Sequence, residues 1–178
     1  MQSDSAKATQ AGSSPMQSDS AKATHSDLPN ASRRLLDSVD FDADVHHFPE
    51  GTKTADDAAR AVGCPVAAIV KSLVFVVDDQ PVVALVPGDL RLDTEALARV
   101  AGGERARRAS LNEVRDATGY AAGGTPPFGH ATELQVFADP ALKRNDPVWC
   151  AAGTPTTVFP ISIDDLDRLA RPVWIEVT

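Results

Sequence analysis

The chain has 178 residues, of which 43% are hydrophobic and 24% charged, and its formal net charge is −8. That length supplies one good-sized core and suits one domain of an ordinary soluble globular protein. No apolar run approaches the ~20 residues of a membrane span, and no N-terminal apolar segment reads as a secretory signal. A cytoplasmic location with no membrane partner is therefore expected, and the acidic balance speaks against a general nucleic-acid-binding surface.

Residues 1–28 are rich in Ser, Ala, Asp, Thr and Gln, and "MQSDSAKAT" occurs at 1–9 and again at 16–24. A repeat this short is no solenoid unit, and the stretch has little to bury. It is expected to be a disordered tail, with the folded domain over 29–178. "ASRRLLDSV" then reads as a short helix and "DVHHF" as a strand. In "TADDAARAVG", Thr54 and Asp57 have the spacing of a capped helix start, and Gly63 closes the helix. The same spacing at Ser110/Glu113 and Ser162/Asp165 predicts helices near 110–118 and 162–170. Between the first two caps, "AIVKSLVFVVDDQPVVALVPG" holds two β-rich runs around Asp78-Asp79-Gln80, a hairpin, and "RLDTEALARVAGG" comes next as a helix. Arg99, Arg105, Arg107, Arg108 and Arg115 face only Glu104 and Glu113 and read as a solvated charged face. Further strands are expected at "ELQVFA", "VWCAA", "TTVFPI" and "PVWIEV". Short strands alternate irregularly with short helices, which gives a mixed α/β domain with a largely antiparallel or mixed sheet.

Two stretches carry chemistry. Lys71 lies within the apolar run "AAIVKSLVFVV", where both faces of the strand are apolar. An ammonium there either snorkels to water from the strand's start or lines a cleft and meets an anionic or carbonyl-bearing ligand. The second stretch is "ATGYAAGGTPPFGH". Gly123 and Gly124 free the backbone for close approach, while Pro126 and Pro127 stiffen the second half of the loop. Such a loop can present N–H groups to a carbonyl or oxyanion, or can simply be a turn-rich connection. Cys64 and Cys150 lack metal-ligand spacing and the four histidines form no zinc pattern, so no metal and no cofactor are expected. No GxSxG elbow or phosphate-binding glycine motif is present.

Taken together, these stretches resemble the YbaK/EbsC family, relatives of the editing domain inserted in bacterial prolyl-tRNA synthetases. The likeness runs from about Val45 to the last helix. It comprises the helix "TADDAARAVG", Lys71-Ser72 in "IVKSLVF", and the hairpin. The glycine loop at Gly123, Gly124, Pro127 and Gly129, the strand ending in Asp139, and "VWCAAGTP" with Gly153 complete it. The resemblance implies a curved mixed sheet or partial barrel surrounded by short helices. It also implies a trans-acting hydrolase that cleaves a mischarged small amino acid such as Cys, Ala or Ser from tRNA, tRNA-Pro included. Its partners would be the acceptor end of aminoacyl-tRNA and prolyl-tRNA synthetase. Lys71 would be catalytic. Ser72, Gly123, Gly124, Thr125, Pro126, Pro127, Phe128, Gly129, His130, Asp139 and Gly153 would bind substrate. A non-catalytic module that binds aminoacyl-adenosine, tRNA or a synthetase is the alternative.

Overall fold

A computed structural model describes residues 23–178. The first copy of the repeat and most of the second lie outside the described residues. Elements follow in the order α1 (Asn30–Ser38), β1 (His46–His47), α2 (Ala55–Val62), β2 (Val70–Val77), β3 (Gln80–Pro87), α3 (Thr94–Val100), β4 (Ala106–Arg108), α4 (Leu111–Thr118), β5 (Gln135–Ala138), β6 (Val148–Ala151), β7 (Thr157–Ile161), α5 (Ile163–Ala170) and β8 (Val173–Trp174). Short 3-10 turns add His25–Asp27, Val66–Ala68 and Pro140–Arg144. Leu28 is only 4% exposed and packs into the core, and Ala23 packs partly buried against the same cluster, so the end of the stretch expected to be a tail belongs to the fold.

The centre is the hairpin β2–β3, paired from Val70↔Pro87 to Val77↔Gln80. Its two-residue loop puts Asp78 (φ 44°) and Asp79 (φ 70°) in the left-handed region, which matches the twist of the flanking strands. Around it a mixed five-stranded sheet has the order β4-β2-β3-β5-β8, with β5 parallel to β3 and β8 parallel to β5. A second, antiparallel sheet has the order β1-β7-β6. The parallel bridge Ile69↔Trp149 joins the two at the start of β2. The hairpin is buried on both faces. Val70, Val74, Val83 and Leu85 pack toward Phe128, Phe159 and Leu166, whereas Phe75, Val77, Ala84 and Val86 pack toward Leu97, Phe137 and Val177.

Arg99, Arg105, Arg107, Arg108 and Arg115 are all exposed, as a solvated charged face requires, and within that segment Ala106–Arg108 forms β4 against Phe75–Val77. The organising group is Asp78. Its carboxylate accepts from the main-chain N–H of Glu104 at 2.7 Å and of Arg105 at 3.0 Å, which aligns the next residues with β2. Of the three helix starts that share the hydroxyl–acid spacing, two are reciprocally capped, at Thr54/Asp57 and Ser110/Glu113. Ser162 caps α5 by accepting from the Asp165 N–H.

Candidate functional site

A cleft of about 350 Å³ opens along β2. Every residue from Ile69 to Val74 lines it, on both faces of the strand, so the cleft follows the strand's edge. That edge is open here because β4 covers it only at Phe75–Val77. The opposite wall is the glycine loop, through Ala122, Gly123 and Thr125. The sequence places the lysine strand and the loop about fifty residues apart, and the fold makes them two sides of one hollow.

Lys71 is the second residue of β2 and is half-buried. Its Nζ donates to the carbonyl of Leu90, in the segment leading into α3. Burial pushes its pKa below the ordinary 10.5; Asp89 acts against that shift, while Arg91 and Arg108 add to it. Ser72 points to the other face of the strand. Its Oγ is buried and has no hydrogen-bond partner, the kind of orphan that a ligand or water is expected to satisfy.

The loop's turn is closed by the Gly124 N–H donating to Ala121 O at 3.0 Å, and the Thr125 hydroxyl donates to the same carbonyl at 3.3 Å. Gly123 has φ +85°, open to glycine, and its N–H and that of Thr125 have no partner among the described residues. Gly124 does not line the cleft. A Cβ there would lie 2.6 Å from Thr154 Cα, so the loop is seated directly on that main chain.

The other candidate residues lie off the cleft. Phe128 is buried with its ring against Phe41 and Phe159. Pro126 accepts at 2.8 Å from His130 Nε2, so the imidazole carries its proton there and ties the loop to itself. Burial pushes the His130 pKa below 6.5, against the Pro126 contact, which raises it. Pro127 is buried, and Gly129 (φ +71°) abuts Leu35 and Ser38. Gly153 (φ +97°) abuts Ala31, whose carbonyl oxygen a Cβ would approach to 2.9 Å. Asp139 is 2% exposed and fully engaged: Oδ1 accepts from Ala141 N–H, and Oδ2 accepts from Val177 N–H at 3.0 Å and the Thr178 hydroxyl at 2.8 Å. It anchors the C-terminal residues, not a ligand in this cleft.

Among the lining residues not singled out in sequence as site residues, three bear most on the chemistry of the cleft. Lys53 and Arg108 join Lys71 as cations, and Leu111, 73% exposed, stands at the rim. Among the described residues no Asp, Glu or His side chain lines the cleft. Such a hollow in an acidic protein suits an anionic or carbonyl-bearing ligand. The floor is small and apolar, with Ala55, Ala58, Val114 and Val158. Both cysteines are free and their thiols are pushed up by burial, so neither is an activated nucleophile. Among the described residues no group of three or more His, Cys, Asp or Glu is placed to hold a metal, and no helix is long and apolar enough to cross a membrane.

Residues 49–169 match the aminoacyl-tRNA editing domain family. YwhH of Bacillus subtilis is 34% identical over 136 residues, which is 75% of this chain and 86% of that protein. EbsC of Enterococcus faecalis, described as a candidate Cys-tRNA(Pro)/Cys-tRNA(Cys) deacylase, is 25% identical over 132 residues, 74% of this chain and 80% of its own. A crystal structure of a candidate trans-editing enzyme for prolyl tRNA synthetase superposes with a TM-score of 0.80 at 39% identity, covering 85% of this chain and 98% of the other. Proline–tRNA ligases also match, as in Nitratidesulfovibrio vulgaris at 36% over 93 residues; the chain spans 16% of that enzyme's length.

Proposed function

Because the chain belongs to the aminoacyl-tRNA editing domain family, we propose that it is a trans-acting deacylase that hydrolyses the ester joining a small, wrongly attached amino acid to tRNA. The observation that carries this reading is that Lys71, Ser72 with its orphan hydroxyl, and Gly123 and Thr125, whose amides have no partner among the described residues, all line one cleft.

Each group has work in ester hydrolysis. The aminoacyl carbonyl lies against the Gly123 and Thr125 amides, which donate to the oxygen as it gains charge. Lys71 holds the ribose–phosphate end, and Lys53 and Arg108 supply further positive potential for acceptor-end phosphates. Ser72 donates to or accepts from the terminal ribose or the aminoacyl amine. Water adds to the carbonyl carbon, and the ester C–O bond then breaks. The proton lost by water passes to the departing ribose oxygen, giving a free amino acid and an intact tRNA end. Among the described residues no lining side chain is a carboxylate or imidazole, so the proton is relayed by the substrate's own hydroxyl or amine. An ester is already activated, and positioning with oxyanion stabilisation carries the step.

The small apolar floor supports a small side chain such as that of alanine, cysteine or serine. The relation to a trans-editing enzyme for prolyl tRNA synthetase supports tRNA-Pro as the carrier and the synthetase as partner. Editing has a physical need here, because one binding pocket rejects a slightly smaller amino acid by only ~10–200-fold. The test is release of amino acid from a panel of charged tRNAs, with Lys71→Ala beside wild type. Wild type should turn over at least one mischarged tRNA and the variant should be strongly impaired. Equal rates remove Lys71 from the mechanism, and tight binding without turnover on every tRNA leaves a recognition module instead.

A further inference from the structure

The glycine loop is held from below by an element that precedes the family match. That match begins at residue 49, whereas α1 spans Asn30–Ser38. Three observations connect α1 to the cleft. Ser32 is fully buried, and its Oγ lies 3.1 Å from Thr157 Oγ1, also fully buried; Thr157 Oγ1 in turn lies 2.7 Å from Thr154 Oγ1. Thr154 is the residue on which Gly124 is seated, with room for no Cβ. Two more glycines are pressed against α1 itself: a Cβ on Gly129 would meet Leu35 Cδ1 and Ser38 Oγ at 2.8 Å, and one on Gly153 would meet Ala31 at 2.9 Å. On the outer side, Arg34 donates to Gly119 O at 3.2 Å and stands over the Tyr120 ring, whose hydroxyl donates to Gly129 O at 3.2 Å.

A buried hydroxyl chain of this kind is costly to break, because each member left alone keeps its desolvation penalty. It also has direction. Thr157 sits on β7, Ser32 on α1, and Thr154 between β7 and the loop, so the chain fixes the distance between helix and loop at the point where Gly124 rests. Gly123 and Thr125, two of the three loop residues that line the cleft, flank that point.

We propose that α1 is a positioning element of the site, and that Ser32, through Thr157 and Thr154, sets the placement of the Gly123 and Thr125 amides. Ser32 does not touch the cleft. The inference rests on the deacylase reading only for its kinetic arm. If the loop shifts, oxyanion donors are misplaced while the cationic cleft stays as it was. The chemical step therefore slows with little change in tRNA affinity.

The test uses the full chain with Ser32→Ala and Ser32→Thr. The Gly124 amide, whose bond to Ala121 O closes the turn, is read by hydrogen exchange in NMR. It should exchange about tenfold faster in Ser32→Ala than in wild type, with the amides of β2 and β3 unmoved. In deacylation well below the melting temperature, kcat should fall about tenfold with KM nearly constant. Ser32→Thr, which keeps the hydroxyl, should restore both. Should Ser32→Ala fail to fold, Gly129→Ala, which separates α1 from the loop, provides the same two readouts. An unchanged Gly124 exchange rate overturns the proposal whether or not any tRNA is hydrolysed. A loss of kcat that tracks loss of global stability, with protection falling equally in the β2–β3 hairpin, overturns it as well. Absence of turnover in wild type bears on the deacylase reading alone and leaves the exchange arm intact.

Discussion

Two polar groups are sunk in the apolar sheet of this protein, and they have opposite fates. The Asp139 carboxylate, at the end of β5, receives three hydrogen bonds from Ala141, Val177 and Thr178. The Ser72 hydroxyl, on β2, receives none. Both would look anomalous in a sequence. A buried group that the fold satisfies completely is a fastener, whereas one that the fold leaves unsatisfied, beside an open cleft and a desolvated lysine, is held ready for something else. By that contrast Asp139 is architectural, with its carboxylate fully engaged, and we propose Ser72 and Lys71 as the polar pair of the site.

The sharpest way to break that assignment is at Asp139. Asp139→Ala leaves the Val177 and Ala141 N–H groups without their acceptor and should cost about 3 kcal/mol of stability, read as a lower urea midpoint. A variant of normal stability that has lost activity would move Asp139 into the site. Lys71→Ala should do the reverse, lowering deacylation about 100-fold while stability stays within about 0.5 kcal/mol of wild type. Ser72→Ala removes an unpartnered buried hydroxyl, so stability should hold or rise slightly, and deacylation should fall about tenfold. Destabilisation comparable to that of Asp139→Ala would erase the contrast.

Two pH measurements sharpen it further. Burial disfavours the Lys71 ammonium in the folded chain, so the unfolded chain holds that proton more tightly. Stability should therefore rise with pH through the window from the lowered folded pKa up to 10.5, and Lys71→Met should abolish that rise in urea midpoints measured across alkaline pH. The smallest effect belongs to exposed Glu113. Its carboxyl is pulled down to about 2 from 4.5, first by Arg107 and then by the Ser110 cap. Its contribution is present above pH 4.5 and is lost as pH falls toward 2, and Glu113→Gln should flatten that part of the acid titration without touching deacylation.

Local chemistry was legible in the sequence wherever it acts over a few residues. Hydroxyl–acid spacing gave the starts of α2, α4 and α5, two aspartates gave the hairpin loop, and an apolar run on both faces gave the buried strand. The resemblance in "IVKSLVF" and "GGTPPFG" pointed to the family and to the two walls of the cleft. What the chain alone did not reveal depends on contacts between distant residues. β4 exists because Asp78 collects two amides some 26 positions away. Asp139, His130 and Gly153 changed from ligand candidates to fasteners once their partners were visible, because a hydrogen bond to Val177 or Pro126, or a close fit against α1, leaves no trace in local spacing. Lys53 and Arg108 reached the cleft by the same tertiary route. Local sequence fixes which backbone conformations and charges are available, but only the packed chain decides which polar groups find partners, and the one left without a partner marks where a ligand is expected.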